Sequence, residues 1–134
     1  MPQHVPWEAA LAADQEPTDT EHRALLEHCE TLAALCLAED GSAEAARFDE
    51  TLAALREQVH RHLEAEAARL AEGADADALA GELADEAEDF ESLIGDAALP
   101  GQFSRLELQR FLALWCLGHV RASAARIRAL SNEK

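Results

Sequence analysis

The chain has 134 residues, enough for one domain with an ordinary hydrophobic core. It contains 27 acidic residues against 11 Lys and Arg, so its formal net charge is −16. Such an acidic excess repels phosphate groups, which argues against binding to nucleic acid or to an anionic membrane. No apolar run approaches the roughly 20 residues of a membrane span, and no signal peptide is recognisable. With three Cys residues, we expect a reduced, cytoplasmic protein without a disulfide framework.

The N-terminal segment, residues 1–18, holds three of the four prolines and no long apolar period, so we predict an arm there. The remainder, residues 19–134, is rich in Ala, Leu and Glu and follows a helical period. The first helix is predicted to begin near Asp19 or Thr20, either of which can cap free backbone N–H groups. Its predicted inward face consists of His22, Leu25, Leu26, Cys29, Leu32, Ala33, Leu35 and Cys36.

The second helix is predicted to span residues 43–71, between a cap at Ser42 and a stop at Gly73. Its apolar positions again recur at helical spacing, and two polar residues fall among them. The predicted buried face consists of Phe48, Leu52, Leu55, Val59, His62, Leu63, Glu66 and Leu70.

The last two helices complete the pattern. Asp75 or Asp77 is predicted to cap the third helix, Gly95 to end it, and Ser104 with Glu107 to form a capping box for the fourth. The third inward face is predicted to be Leu79, Leu83, Glu86 or Ala87, Phe90, Leu93 and Ile94. The fourth is predicted to be Leu108, Phe111, Leu112, Trp115, Cys116, His119, Ala122 or Ser123, Arg126 and Leu130. Four amphipathic helices with short connections predict an all-α, up-down-up-down four-helix bundle.

Three histidines and one glutamate lie on the inward faces of three different helices: His22, His62, Glu66 and His119. His62 and Glu66 are four residues apart, so they share one face of a helix. Imidazoles and a carboxylate that converge inside a bundle suit iron, zinc or manganese. The alternative is a metal-free cluster in which Glu66 forms a buried ion pair with the imidazoles.

Four short motifs follow one another along the chain: D-x-x-H at 19–22, H-x-x-x-E at 62–66, a segment at 83–90 that ends in Phe90, and W-x-x-x-H at 115–119. Trp7 precedes the first of them. In this order they resemble the bacterial hemerythrin-like family, whose third-helix motif is H-x-x-x-H-x-x-F. The resemblance covers nearly the whole chain and implies a four-helix bundle that holds two carboxylate-bridged irons and, in many members, binds dioxygen.

The resemblance also implies which residues bind iron. It assigns His22 and His62 to one iron, Glu66 to a bridge and His119 to the other iron. The two third-helix histidines of the family, however, fall on Leu83 and Ala87, and its second bridging carboxylate falls on Ala124. We therefore expect no ordinary di-iron centre but one metal ion, iron or zinc.

Glu86 is the acidic residue of the third helix that falls on the inward stripe. It either reaches water at the edge of the bundle or points inward as a replacement ligand, because an unpaired buried carboxylate is costly. The three cysteines are interpreted as small buried hydrophobes, although Cys116 can also approach the metal or pair with Cys29 under oxidation.

We expect a protein that binds or senses a small ligand such as dioxygen, nitric oxide or peroxide at this metal. No nucleophile–base pair or phosphate-binding loop is recognisable, so an enzyme is the less favoured interpretation. Two alternatives remain. One is a metal-free protein of the same fold with a structural or protein-interaction role, and the other is an oxidoreductase with a mononuclear iron.

Overall fold

The computed structural model describes residues 1–71, 73, 76–97, 99, 101 and 103–132, with side chains up to residue 130. This part of the chain contains four long helices: α1 (Thr18–Leu35), α2 (Ala43–Arg69), α3 (Ala76–Ala97) and α4 (Arg105–Asn132). Each helix packs against the next, and α4 returns to pack against α1. The predicted all-α four-helix bundle is confirmed. No described helix combines the length and the apolar character needed to cross a bilayer.

Two predicted caps are present at helix starts. Ser42 precedes α2, and its Oγ accepts a hydrogen bond from the backbone N–H of Ala45 at 3.1 Å. Ser104 precedes α4, where its Oγ accepts from the N–H of Glu107 at 3.1 Å and its own N–H donates to Glu107 Oε1 at 3.3 Å. These bonds satisfy N–H groups that have no partner inside the helix, as the sequence predicted.

The start of α1 differs from the prediction. The helix begins at Thr18, and no side chain caps it. Asp19 instead accepts hydrogen bonds from two N–H groups upstream of the helix, those of Ala13 at 2.8 Å and Asp14 at 3.0 Å. The carboxylate therefore ties the N-terminal arm to the first turn of α1. The predicted cap at Asp19 or Thr20 is wrong.

Two further boundaries differ. α2 ends at Arg69, two residues before the predicted end. α3 runs through Gly95 to Ala97, so the predicted stop at Gly95 is wrong. A single glycine costs a helix only about 1 kcal/mol, which packing against the neighbouring helices offsets. Asp77 lies in the first turn of α3 rather than at its cap, and Asp75 lies outside the described residues.

The core is formed by the inward faces of the helices together with the arm. Its largest fully buried apolar side chains are Phe48, Phe90, Leu25, Leu32, Leu55 and Leu112. Val5 and Leu11 of the arm are also buried, with 2% and 3% exposure. Removing this apolar area from water is the main stabilising contribution, at about 25 cal/mol per Å².

The prediction of the inward face fails at two positions of α4. Phe111 and Leu130 were predicted to be buried, but they are 44% and 43% exposed. The buried arc of α4 is centred on Leu112, Cys116 and other residues at helical spacing from them. Phe111 precedes Leu112 and therefore points about 100° away from it.

Candidate metal centre

Four polar side chains from three helices converge in the middle of the bundle. They are His22 of α1, His62 and Glu66 of α2, and His119 of α4, and none is more than 3% exposed. One potential ligand atom of each lies within 4.8 Å of the other three, so the group can hold a metal ion. The structure thus brings together four of the five residues predicted as ligands.

His62 lies at the centre of this group. Its Nε2 is 3.1 Å from Nε2 of His22, 3.0 Å from Nε2 of His119 and 3.0 Å from Oε2 of Glu66. His119 Nε2 is 3.1 Å from the same oxygen of Glu66. One imidazole nitrogen carries at most one proton, so His62 Nε2 cannot make favourable hydrogen bonds to all three neighbours. A cation between the four atoms gives each of them a favourable partner.

Two carboxylates orient the imidazoles from outside the group. Oε1 of Glu21 is 2.7 Å from Nδ1 of His62, and Oε1 of Glu86 is 3.1 Å from Nδ1 of His119. When Nδ1–H donates to a carboxylate, the Nε2 lone pair is free to bind a metal. Glu86, predicted as an edge residue or a ligand, therefore lies behind His119, with 27% of its side chain exposed.

Glu66 is held so that only one of its oxygens faces the imidazoles. Its Oε1 accepts hydrogen bonds from Oγ of Ser123 at 2.7 Å and from Nη1 of Arg126 at 3.2 Å. The other terminal nitrogen of Arg126 donates to Glu82 at 3.3 Å. Oε2 of Glu66 therefore remains as a single ligand atom, which predicts monodentate binding.

Glu21 is itself held in place by a base on α2. Arg69 donates to both carboxylate oxygens of Glu21 and also to Oγ1 of Thr18, at 3.1 Å. Burial opposes the charge on Glu21, but the hydrogen bonds from Arg69 and His62 outweigh it and lower the pKa of Glu21. The carboxylate behind His62 is thus ionised and fixed between α1 and α2.

The electrostatics of the group favour one neutral imidazole and an ionised carboxylate. Burial, with the neighbouring His62 and His119, lowers the pKa of His22 to about 3. Burial opposes the charge on Glu66, but hydrogen bonds from His119 and His62 hold its pKa well below the usual range. Burial also opposes the charge on His119, yet bonds to Glu66 and Glu86 raise its pKa to about 9. His119 must therefore release a proton when its Nε2 binds a metal.

Aromatic packing fixes the His119 ring. Trp115, one turn earlier on α4, stacks on it with centroids 5.7 Å apart and planes 8° apart. Phe90 of α3 packs against Trp115 at a centroid distance of 4.9 Å. The imidazole is thus held in position by packing as well as by its two carboxylate partners.

The positions at which the family resemblance places further ligands offer no ligand atoms. Leu83 and Ala124 are buried, with 2% and 0% exposure, and Ala87 is half-buried. Their aliphatic side chains supply no nitrogen or oxygen atom that could bind a metal. These residues do not fit a second iron.

The remaining histidines and cysteines lie outside the group. His60 points away from His62 and pairs with Glu91 near the surface. All three cysteines are buried free thiols. A hydrogen bond with Cys29, reinforced by burial, raises the pKa of Cys116 well above its usual range. A protonated thiol is a poor metal ligand, which favours the interpretation of Cys116 as a small hydrophobe.

Sequence reasoning missed the residues that support the ligands. Ser123 and Arg126 fall on the predicted inward stripe of α4, and a base on a buried face implies an acidic partner. The sequence alone therefore indicates that Arg126 pairs with a buried carboxylate. Glu21 gave no such signal, because it precedes His22 and successive helical residues point about 100° apart. Only the packing of α1 against α2 shows that it reaches His62.

Comparisons of the chain with known protein families, curated proteins and solved structures find no match. The function is therefore argued from the chemistry of the site. That chemistry is a buried set of three imidazole nitrogens and one carboxylate oxygen, with further carboxylates behind two of the imidazoles.

Proposed function

We propose that this protein binds one transition metal ion, iron in preference to zinc, and presents it to a small ligand. The observation behind this proposal is the convergence of three Nε2 atoms and one Glu66 oxygen, with carboxylates at the far nitrogens of His62 and His119. Second-sphere carboxylates of this kind are typical of histidines that bind metals. A metal-free cluster would leave His62 Nε2 with an unfavourable contact.

Iron and zinc differ in the number of ligands that they accept at such a site. At a metal–ligand distance of about 2.1 Å, neighbouring ligands are about 3.4 Å apart in a tetrahedron and about 3.0 Å apart in an octahedron. His62 lies 3.0–3.1 Å from its three neighbours, and His119 lies 3.1 Å from Glu66. These contacts lie within a few tenths of an ångström of both geometries, so either metal can draw the four atoms around it. Zinc strongly prefers the tetrahedron, whereas iron accepts six ligands.

Four protein ligands would complete the tetrahedron of zinc, whereas on six-coordinate iron they would leave two positions open. All four residues are buried, so only a ligand of a few atoms can reach the metal without disrupting the bundle. We therefore propose binding or sensing of a diatomic molecule such as dioxygen or nitric oxide. The order of the four motifs supports a hemerythrin-like origin in which Leu83, Ala87 and Ala124 replace the ligands of a second iron.

Metal content tests the first part of this proposal. We expect about one iron per chain by elemental analysis of untagged protein from iron- and zinc-supplemented medium. His62→Ala should abolish it, whereas His60→Ala, which removes a histidine of the same helix outside the group, should not. Metal-free wild-type protein, or equal metal content in the two variants, would contradict the site and favour a structural or protein-interaction role.

Ligand binding tests the second part. The absorption spectrum of the anaerobic ferrous protein should change when nitric oxide is added, and the zinc-loaded protein should show no change. A ferrous protein with full metal content and an unchanged spectrum would contradict the open positions while leaving the metal site intact. Two irons per chain would instead show that other side chains replace the ligands lost at Leu83, Ala87 and Ala124.

A further inference from the structure

Two of the three cysteines meet inside the bundle, outside the candidate metal centre. Cys29 of α1 and Cys116 of α4 are both fully buried, each with 0% exposure. Both are free thiols, and the thiol of Cys116 donates a hydrogen bond to the sulfur of Cys29. Two groups that can each give up an electron and a proton are therefore in contact on neighbouring helices.

The register of α1 against α4 places the two cysteines at the same level of the bundle. The rings of His22 and His119 lie 5.6 Å apart, which aligns these two helices near one end. Further along α1, Sγ of Cys29 lies 4.0 Å from the carbonyl oxygen of Leu112, which is equally far from His119 in the opposite direction along α4. A helical side chain leans toward the N-terminus of its helix, so Cys116 covers the turn that contains Leu112.

The N-terminal arm is fastened to both helices at this level. Gln109 of α4 is fully buried, and its Nε2 donates to the carbonyl oxygen of Cys29 at 3.2 Å and to that of Gln3 at 2.8 Å. Its Oε1 accepts from the backbone N–H of Gln3 at 2.8 Å. On α1, the carboxylate of Glu30 accepts from the backbone N–H of Val5. The start of the arm thus bridges α1 and α4 beside Cys29.

We propose that Cys29 and Cys116 form a reversible disulfide bond when hydrogen peroxide or another small hydroperoxide enters the bundle. Cys116 holds its proton in the hydrogen bond, so the sulfur of Cys29 is the attacking group. It attacks one peroxide oxygen, the O–O bond breaks, an S–O bond forms, and the thiol proton joins the departing hydroxide to give water. Cys116 then attacks the sulfur of this sulfenic acid, the S–O bond breaks, the S–S bond forms, and a second water leaves with the Cys116 proton. The two thiols lose two electrons and two protons, and one peroxide becomes two waters.

Burial selects the size of the oxidant. Neither sulfur is exposed, so an oxidant reaches the pair only through a local opening of the structure. Chain termini open more readily than the packed middle of a helix, and the arm that bridges the two helices here is such a terminus. A hydroperoxide of a few atoms needs only a small opening, whereas a bulky disulfide such as oxidised glutathione needs a large one.

Thiol titration and intact mass, measured on the full chain in the presence of a chelator, test the disulfide independently of the metal site. Hydrogen peroxide should reduce the free thiols of the wild type from three per chain to one and lower its mass by two hydrogen atoms, and dithiothreitol should reverse both changes. Cys29→Ala and Cys116→Ala should form no disulfide within the chain. The matched control, Cys36→Ala, should still form it, because Sγ of Cys36 donates to the carbonyl oxygen of Ala33 in its own helix. A wild type that keeps three thiols, gains only oxygen, or forms a disulfide through Cys36 overturns the proposal.

The rate of thiol loss tests the route beneath the arm. Gln109→Leu removes the bonds to Gln3 and should speed oxidation by peroxide several-fold, while far-UV circular dichroism shows that the bundle remains folded. Arg128→Ala is the matched control, because Arg128 holds the arm further along, at the carbonyl oxygens of Ala10 and Ala12. Oxidised glutathione at the same concentration should leave the thiols of the folded wild type intact. Equal rates in the two variants, or with the two oxidants, would overturn this route.

Discussion

Glu21 and His62 connect the surface of the bundle to the candidate metal-binding group, since Oε1 of Glu21 lies 2.7 Å from Nδ1 of His62. The contact is on the side of the ring opposite the other imidazoles. Glu86 stands in the same relation to His119, at 3.1 Å. Two residues outside the group therefore determine which nitrogen of each imidazole faces its centre.

Glu21→Gln should weaken metal binding by about 10–100-fold, the usual effect of losing a second-sphere partner. Glutamine still fits between Arg69 and His62, but it lacks the negative charge that favours a metal on the other side of the ring. Competition with a chelator at fixed pH measures the change. Glu91→Gln is the matched control, because Glu91 holds the surface residue His60 and not a residue of the group. Equal affinities for the two variants would contradict the role of Glu21.

The proposed origin of the site can be tested by adding ligands at the three positions where the resemblance places those of a second iron. Combining Leu83→His, Ala87→His and Ala124→Asp should shift the metal content from about one toward two irons per chain. The new side chains supply ligand atoms at positions that now carry only aliphatic groups. Leu83→Ala with Ala87 unchanged is the control, because it opens space without adding a ligand. Unchanged iron content in the triple variant would mean that the cavity itself has been remodelled.

The metal-free protein should be most stable near pH 6.5 and less stable on both sides. His119 has a pKa of about 9 in the folded state against about 6.5 in the unfolded state. Its contribution to the free energy of unfolding is therefore complete below about pH 6.5 and is lost as the pH rises to about 9. His22 shifts the other way, because its folded pKa of about 3 lets only the unfolded state bind a proton as the pH falls below about 6.5. The lowered pKa of Glu66 makes the free energy of unfolding fall further below about pH 4.5, where the unfolded carboxyl takes up a proton first.

Urea denaturation in the presence of a chelator, repeated across this pH range, measures that profile. His119→Gln should remove the decline on the alkaline side, because the group that loses its proton there is absent. His22→Gln should reduce the decline on the acid side. A wild-type profile that is flat from about pH 6.5 to 9 would show that His119 does not pair with Glu66 in the metal-free protein.

The helical period predicted the bundle and most of its core, because packing and local spacing point to the same residues. Leu25, Leu55 and Leu112 are all fully buried, as predicted. Ser42 and Ser104 were correct as caps because the capping bonds involve residues only three positions away. Local rules failed where a distant segment competes for the same side chain, as when the arm takes the carboxylate of Asp19.

The helical period predicted the four inward-facing residues of the candidate site but not the residues that hold them in place. His22, His62, Glu66 and His119 share inward positions, and the bundle topology brings such positions together. The partners of these residues depend on how each helix is rotated and how far it is shifted against its neighbours. A shift of one helical turn, about 5.4 Å, would separate Glu21 from Nδ1 of His62 without altering any inward stripe. No periodic pattern specifies that detail.

Asp19 should be important for stability but not for metal binding. Asp19→Ala leaves the buried N–H of Ala13 and the N–H of Asp14 without their acceptor, which should lower the free energy of unfolding by about 1–3 kcal/mol. Asp49→Ala removes an exposed carboxylate of α2 and should change it by no more than about 0.5 kcal/mol. Urea denaturation measures both, and elemental analysis should find the same metal content as in the wild type. A loss of metal in a folded Asp19→Ala protein would instead place this carboxylate among the groups that support the imidazoles.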